Sequence, residues 1–127
     1  MYIAHINERT GETQSVREHG ENVAALCEQF SIPELKRLSY MIGLAHDVGK
    51  YCNYFQRKIN GENIRVDHST AGAIAAKRYY GPAVSMIAGL CIAGHHAGIP
   101  DAGLPVDAYR EDHAPMLRTR MAQKEKR

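Results

Sequence analysis

Histidines dominate the residues of this sequence that could do chemistry. Five of the seven stand at the ends of predicted helices or on an apolar helix face: His19, His46, His68, His95 and His96. One of them is followed directly by Asp47. Neutral imidazole is the most frequent transition-metal ligand in proteins, and several imidazoles with a carboxylate describe a hydrolytic or redox-capable divalent site. The set therefore predicts a metal centre at which several helices meet.

Asp47 has a role that imidazole cannot fill well, because its two oxygens can bridge a pair of ions. Two ions about 3.5–4 Å apart can activate water and hold both the attacking and the leaving oxygens of a phosphodiester. Each histidine alone has a simpler explanation: His19 could be a hydrogen-bonded core residue, and His95 and His96 could form a polar helix terminus. These explanations weaken when four separate helices each contribute a histidine.

Helices are the elements expected to position these side chains. Ser15 and Glu18 form a capping-box pattern before apolar residues at three- and four-residue spacing, which predicts a helix from about Ser15. Pro33 suits the first turn of a second helix, which should run into His46. Further helices are predicted at about residues 51–58, 68–80 and 82–96, with a short extended segment at residues 2–6. The predicted fold class is all-α.

Length and composition describe one ordinary globular domain. The chain has 127 residues, of which 44% are hydrophobic and 24% charged, and its net charge of +2 is too small to indicate a nucleic-acid binder. The stretch 118–127 holds five basic residues and one acidic residue, so residues 116–127 are expected to form a solvated basic tail, within a stretch, residues 108–127, that is predicted to be partly helical. The three cysteines lie far apart and form no CxxC pair, and the sequence has neither a signal peptide nor an apolar run long enough to cross a membrane. Together these features predict a cytoplasmic protein.

Three stretches of the sequence carry a family resemblance. His19, the HDVGK stretch beginning at His46 and the later histidines resemble the HD phosphohydrolase superfamily. More narrowly, GLAHDVGKYCNYFQ, DHSTAGA and AGHHAG are similar to the HD nuclease domain of the CRISPR type I effector nuclease–helicase. The resemblance implies an HD-domain helical bundle that cleaves single-stranded DNA in antiviral defence. It also implies a CRISPR effector complex and a helicase component as partners.

The same resemblance implies a ligand set for one or two divalent transition-metal ions, such as Mn, Co, Ni or Fe. Around one ion it places His19, His46 and Asp47. Asp47 would bridge to a second ion, which His68, His95 and His96 would also bind.

Two further residues receive roles from the resemblance. Lys50 is similar to a lysine that stabilises charge on the phosphate or protonates the leaving group, which makes Asp47 and Lys50 the predicted catalytic residues. The alternative for Lys50 is a surface lysine near a helix end. Ser69 matches a serine beside the metal site and is the predicted substrate-binding residue; it could equally be a hydroxyl that serves the start of a helix.

The resemblance leaves one expected ligand without a clear counterpart. The family usually supplies an aspartate on a helix well beyond the histidine pair, whereas Asp101, Asp107 and Asp112 lie in or next to a predicted loop. We therefore expect a C-terminally incomplete HD nuclease-like domain over residues 1–115, with a weaker first metal site. Two alternatives stay open: an HD phosphohydrolase acting on small nucleotides, and a catalytically silent metal-binding module.

Overall fold

The computed structural model describes residues 1–96, 98–109 and 116–125. That part of the chain forms an N-terminal hairpin followed by six α-helices. The hairpin pairs β1 (Ile3–Ile6) with β2 (Thr13–Ser15) in antiparallel register. The helices are α1 (Val16–Phe30), α2 (Lys36–Ala45), α3 (Asn53–Ile59), α4 (His68–Tyr79), α5 (Pro82–Gly94) and α6 (Leu117–Glu125). The predicted all-α class is confirmed, and no described helix has the length and apolar character needed to cross a membrane.

Helix starts follow local signals in the sequence. At the start of α1, the Ser15 hydroxyl accepts a hydrogen bond from the Glu18 backbone N–H at 3.1 Å, as the capping pattern predicts. Asp67 caps α4 in the same way, accepting from the Thr70 N–H at 3.0 Å. Pro82 occupies the first turn of α5. The start predicted for α2 is early, because Pro33–Leu35 forms a 3₁₀ turn and the α-helix begins only at Lys36.

Small residues let α2, α4 and α5 approach one another closely. The core between α4 and α5 is built from Ala73, Ala76, Ala88, Ile92 and Ala93, each at most 1% exposed. At Gly72 a Cβ atom would lie 2.7 Å from both the Ala45 carbonyl oxygen and Ile92 Cγ2. Any side chain there would push the helices apart. The glycine therefore allows the end of α2, which carries the His-Asp pair, to lie against α4.

The basic C-terminal segment is a packed helix. In α6, Leu117 is 1% exposed, and Arg120 donates to Thr70 Oγ1 at 3.1 Å and to the Ala93 carbonyl at 3.2 Å. The expectation of a solvated tail is therefore wrong for Leu117–Glu125, because these contacts bury part of the segment against α4 and α5. The domain boundary predicted after residue 115 stays a prediction; residues 110–115 lie outside the described part of the chain.

Candidate metal centre

The His-Asp pair stands where α2 gives way to a 3₁₀ turn. His46 follows Ala45, the last residue of α2, and Asp47 precedes the turn Val48–Tyr51. Gly49 in this turn packs against the backbone of His68, where a Cβ atom would collide with the His68 carbonyl oxygen. The absence of a side chain at Gly49 thus brings the first residue of α4 next to Asp47. Asp47 itself is 3% exposed.

The two oxygens of Asp47 face different histidines. Oδ2 lies 3.1 Å from His19 Nε2 and 3.2 Å from His46 Nε2. Oδ1 lies 3.2 Å from His68 Nε2 and 3.4 Å from His95 Nε2. The structure therefore places these four imidazoles in two pairs on either side of one carboxylate.

The sixth predicted ligand lies on the Oδ1 side. His96 Nε2 is 2.9 Å from His68 Nε2, and possible ligand atoms of Asp47, His68, His95 and His96 all lie within 4.8 Å of one another. All six residues predicted as ligands are thus brought into one cluster, and their division follows that implied by the resemblance. Their role as ligands stays a prediction.

Backbone carbonyls orient two of the imidazoles. His46 Nδ1 lies 2.6 Å from the Gly43 carbonyl oxygen, and His95 Nδ1 lies 2.6 Å from the Ile92 carbonyl oxygen. Because a carbonyl oxygen only accepts, each Nδ1 must carry the proton and donate it. In the neutral rings Nε2 then presents a lone pair toward Asp47. Such contacts fix the tautomer and direction of metal-binding histidines.

The resulting cluster crowds hydrogen-bond acceptors together. His46 Nε2, which carries a lone pair, lies 3.2 Å from both His19 Nε2 and Asp47 Oδ2. Asp47 Oδ1 and His68 Nδ1 are buried and have no hydrogen-bond partner among the described residues. A buried polar atom left unpaired costs about 1–3 kcal/mol. A cation bound between Asp47 Oδ1 and the imidazole Nε2 atoms that face it would remove this cost at Oδ1, and imidazole with carboxylate is a donor set for divalent transition metals. The residues fit a metal ion.

Asp47 carries its negative charge in this environment. Burial by itself would raise the pKa of the carboxyl, but hydrogen bonds outweigh it: those that the imidazoles of His46, His68 and His95 donate when Nε2 carries a proton, and the one from the Lys50 ammonium. The pKa of Asp47 is therefore held well below its usual range. An ionised carboxylate is the form that binds a metal ion.

Burial favours the neutral form of two of the histidines. Burial lowers the pKa of His19, and the neighbouring His5 lowers it further. Burial and the nearby His95 likewise lower the pKa of His96. His95 is different, because its contact with Asp47 raises its pKa against the effect of burial. Metal binding at His95 would therefore compete with a proton.

Lys50 is buried within the centre. Its side chain is 4% exposed, and Nζ lies 2.8 Å from Asp47 Oδ2. Nζ also donates to the Ala4 carbonyl at 3.3 Å and to His5 Nε2 at 3.2 Å. The alternative of a surface lysine is wrong, because the 3₁₀ turn directs Lys50 under the N-terminal hairpin. Its catalytic role stays a prediction.

Ser69 makes its contacts with the capping network of α4. It is 7% exposed, and its hydroxyl donates to Asp67 Oδ1 at 3.1 Å and accepts from Arg120 Nη2 at 3.3 Å. Burial would raise the pKa of Asp67, but hydrogen bonds from Thr70 and the charge of Arg120 lower it to about 2. These contacts match the alternative role at the start of a helix. A substrate contact by Ser69 stays a prediction.

Neither Asp101 nor Asp107 belongs to the described cluster of candidate ligands. Asp107 is 7% exposed, and its carboxylate accepts from the Leu104 backbone N–H at 2.6 Å within the 3₁₀ turn Pro105–Tyr109. Asp101 is exposed and belongs to neither group of candidate ligands found among the described residues. Asp112 lies outside the described part of the chain.

One candidate ligand was missed by sequence reasoning. Ligand atoms of His5, His19 and Asp47 lie within 4.8 Å of one another. His5 belongs to β1, which the sequence predicts as a lone extended segment. Four residues are too few for the alternation of apolar and polar side chains to show which face of such a strand meets the helices. Its place beside His19 depends on pairing of β1 with β2, where His5 is opposite Gln14.

A family comparison covers most of the helical unit. The HD domain family matches residues 16–127. The chain belongs to the HD domain family. The matched range contains Asp47 and the five predicted histidine ligands, whereas His5 precedes it. No curated protein and no solved structure matches the chain. As a member of this superfamily, the chain is a metal-dependent hydrolase of the phosphohydrolase type. The family match confirms the broader of the two resemblances.

Proposed function

We propose that this HD domain is a nuclease that hydrolyses phosphodiester bonds of single-stranded DNA in CRISPR-associated antiviral defence. The observation that carries the chemistry is Asp47, whose two oxygens each face a separate pair of imidazoles. That arrangement suits two ions, which phosphodiester hydrolysis commonly uses. The stretches GLAHDVGKYCNYFQ and DHSTAGA support the assignment to CRISPR defence. A CRISPR effector complex and a helicase component are the corresponding proposed partners.

The residues of the chain supply positioning and charge. Divalent ions, when bound, would polarise the phosphate and lower the pKa of water. Asp47 with His19 and His46 would hold one ion, and Asp47 with the remaining three histidines would hold the other. Lys50 places its ammonium group 2.8 Å from Asp47 Oδ2, so a positive charge lies beside the carboxylate that would bind both ions. Such a charge stabilises negative charge that develops on phosphate oxygens in the transition state.

The exposure of the centre supports a polymeric substrate. The Asp47 side chain is 4% exposed, whereas the side chains of His19 and His95 are 18% and 20% exposed. The carboxylate is thus shielded from solvent while the edges of the imidazoles reach the surface. A phosphodiester within a long strand can approach such a surface without entering a closed nucleoside pocket.

Cleavage of labelled single-stranded DNA with Mn²⁺ tests the proposal. The parent chain should cut the strand, and Asp47→Asn should reduce cleavage to background. Glu62→Gln is the matched control, because it removes one acidic charge from an exposed ion pair with Arg57; it should cut as the parent does. Hydrolysis of a nucleotide panel without DNA cleavage would indicate a small-nucleotide phosphohydrolase. Metal binding without either activity would indicate a catalytically silent module.

A further inference from the structure

The N-terminal hairpin is fixed against the metal centre by Gln56 of α3. Its side-chain amide donates to the Ile3 carbonyl and its Oε1 accepts from the Ile3 N–H, both at 2.9 Å. The same amide donates to the Lys50 carbonyl at 2.8 Å. On the other strand, Gln14 Oε1 lies 3.2 Å from His19 Nδ1. The hairpin is therefore tied both to the turn that follows Asp47 and carries Lys50 and to the helix that carries His19.

This attachment directs His5 into the Oδ2 side of the cluster. The imidazole of His5 packs edge-on against that of His19, with ring centroids 4.5 Å apart. Lys50 Nζ lies 3.2 Å from His5 Nε2. Because an ammonium group only donates, His5 Nε2 must be unprotonated and must direct its lone pair toward the region that Lys50 shares with Asp47 Oδ2. A cationic group thus already lies between His5 and the carboxylate.

We propose that His5 is a metal ligand on the Oδ2 side of Asp47, so that the ion there is held by His5, His19, His46 and Asp47. The inference rests on the metal binding assumed in the proposed function and extends it to a strand outside the family match. For metal–nitrogen bonds of about 2.1 Å, the ligand atoms of a tetrahedral site are about 3.4 Å apart. The contacts of His19 and His46 with Oδ2 already lie near this value, at 3.1 and 3.2 Å.

His5 needs a small movement to complete such a site, and Lys50 Nζ, which lies 3.2 Å from His5 Nε2 and 2.8 Å from Asp47 Oδ2, would have to leave the space between them to the ion. Its ligand atom is within 4.8 Å of those of His19 and Asp47, so closure by at most about 1.4 Å reaches the tetrahedral separation of about 3.4 Å. His5 Nε2 already accepts a hydrogen bond from Lys50 Nζ, so its lone pair is available without the loss of a proton. A neutral imidazole is the form that binds a metal ion.

Calorimetric titration with Mn²⁺ compares the parent with His5→Ala. Loss of a group that merely orients a ligand costs about 10–100-fold in metal affinity, so loss of a direct ligand should weaken one of two binding events by about 100-fold or more. The second event, at His68, His95 and His96, should stay within about 3-fold of the parent and reports that the variant is folded. Glu8→Gln, an exposed substitution in the same hairpin, should bind both ions as the parent does.

The alternative is that His5 acts only by positioning Lys50. Lys50→Met removes that interaction, so the effect of His5→Ala is measured again in the Lys50→Met background. A direct ligand should still cause about a 100-fold loss there. No loss in that background would overturn the proposal, as would a parent that binds a single ion or a His5→Ala variant that binds both ions unchanged. These readouts are independent of DNA cleavage, so an inactive parent that binds two ions would refute the nuclease proposal alone.

Discussion

Replacing Asp47 by asparagine should destabilise the metal-free protein mainly by leaving Lys50 unpaired. The side chains of Lys50 and Asp47 are both 4% exposed, and their charged atoms are 2.8 Å apart. Asparagine keeps the shape of the side chain and removes its charge. Removing one partner of a buried ion pair costs about 3–5 kcal/mol, because the remaining charge stays buried without compensation. Lys50 keeps its contacts with the Ala4 carbonyl and His5, so the lower end of that range is expected.

An exposed ion pair provides the control for this magnitude. Arg57 Nη2 and Glu62 Oε2 are closer still, at 2.6 Å, but their side chains are 53% and 47% exposed. Water and mobile ions screen such a pair, which therefore contributes little to stability. Glu62→Gln should leave the midpoint of thermal unfolding unchanged within error. The loss of stability is expected to be larger for Asp47→Asn than for Glu62→Gln because the first ion pair is buried, even though its charges are farther apart.

Thermal and urea unfolding in EDTA measure both variants. For a domain of this size, a loss of about 3 kcal/mol should lower the melting temperature of Asp47→Asn by roughly 10–20 °C. The double variant Asp47→Asn with Lys50→Met should recover at least half of the loss, because it removes the uncompensated charge.

Two results would refute this reasoning. Asp47→Asn could unfold within about 1 kcal/mol of the parent, which would show that Lys50 is not held as a buried charge. Alternatively, the double variant could be no more stable than Asp47→Asn, which would place the loss in the contacts of Asp47 with the histidines.

Three further predictions concern packing and metal binding. Gly72→Ala should lower the free energy of unfolding in urea by about 1–3 kcal/mol, because its Cβ would overlap Ala45 and Ile92, whereas Gly81→Ala meets no atom within 4 Å and should match the parent. Arg120→Met should cost about 1.5–3 kcal/mol in the same assay by removing charged hydrogen bonds that join α6 to α4 and α5; a value within error of the parent would contradict this. Mn²⁺ at 100 times its dissociation constant should stabilise the parent by about 2.7 kcal/mol in thermal unfolding, and stabilisation of Asp47→Asn by the same amount would contradict the role of Asp47.

Local signals determined much of the secondary structure. Ser15 with Glu18 marks the start of α1, and Pro82 marks that of α5, because a capping hydroxyl and a proline act within one helical turn. The candidate metal ligands could also be chosen from the sequence, since histidine and aspartate carry their chemistry wherever the chain places them. Sequence alone was therefore enough to propose His19, His46, Asp47, His68, His95 and His96 as one set.

The tertiary structure decided which charged side chains are buried and which distant residues come into contact. The sequence left Lys50 open between a catalytic residue and a surface lysine, and its burial depends on a hairpin that Gln56 holds across 53 positions. The basic segment resembles a tail, but Arg120 reaches Thr70 across 50 positions. His5 comes beside His19 only because β1 pairs with β2. Composition and periodicity describe neighbours along the chain, whereas burial and ligand geometry depend on contacts between distant residues, so the sequence alone could not show these three features.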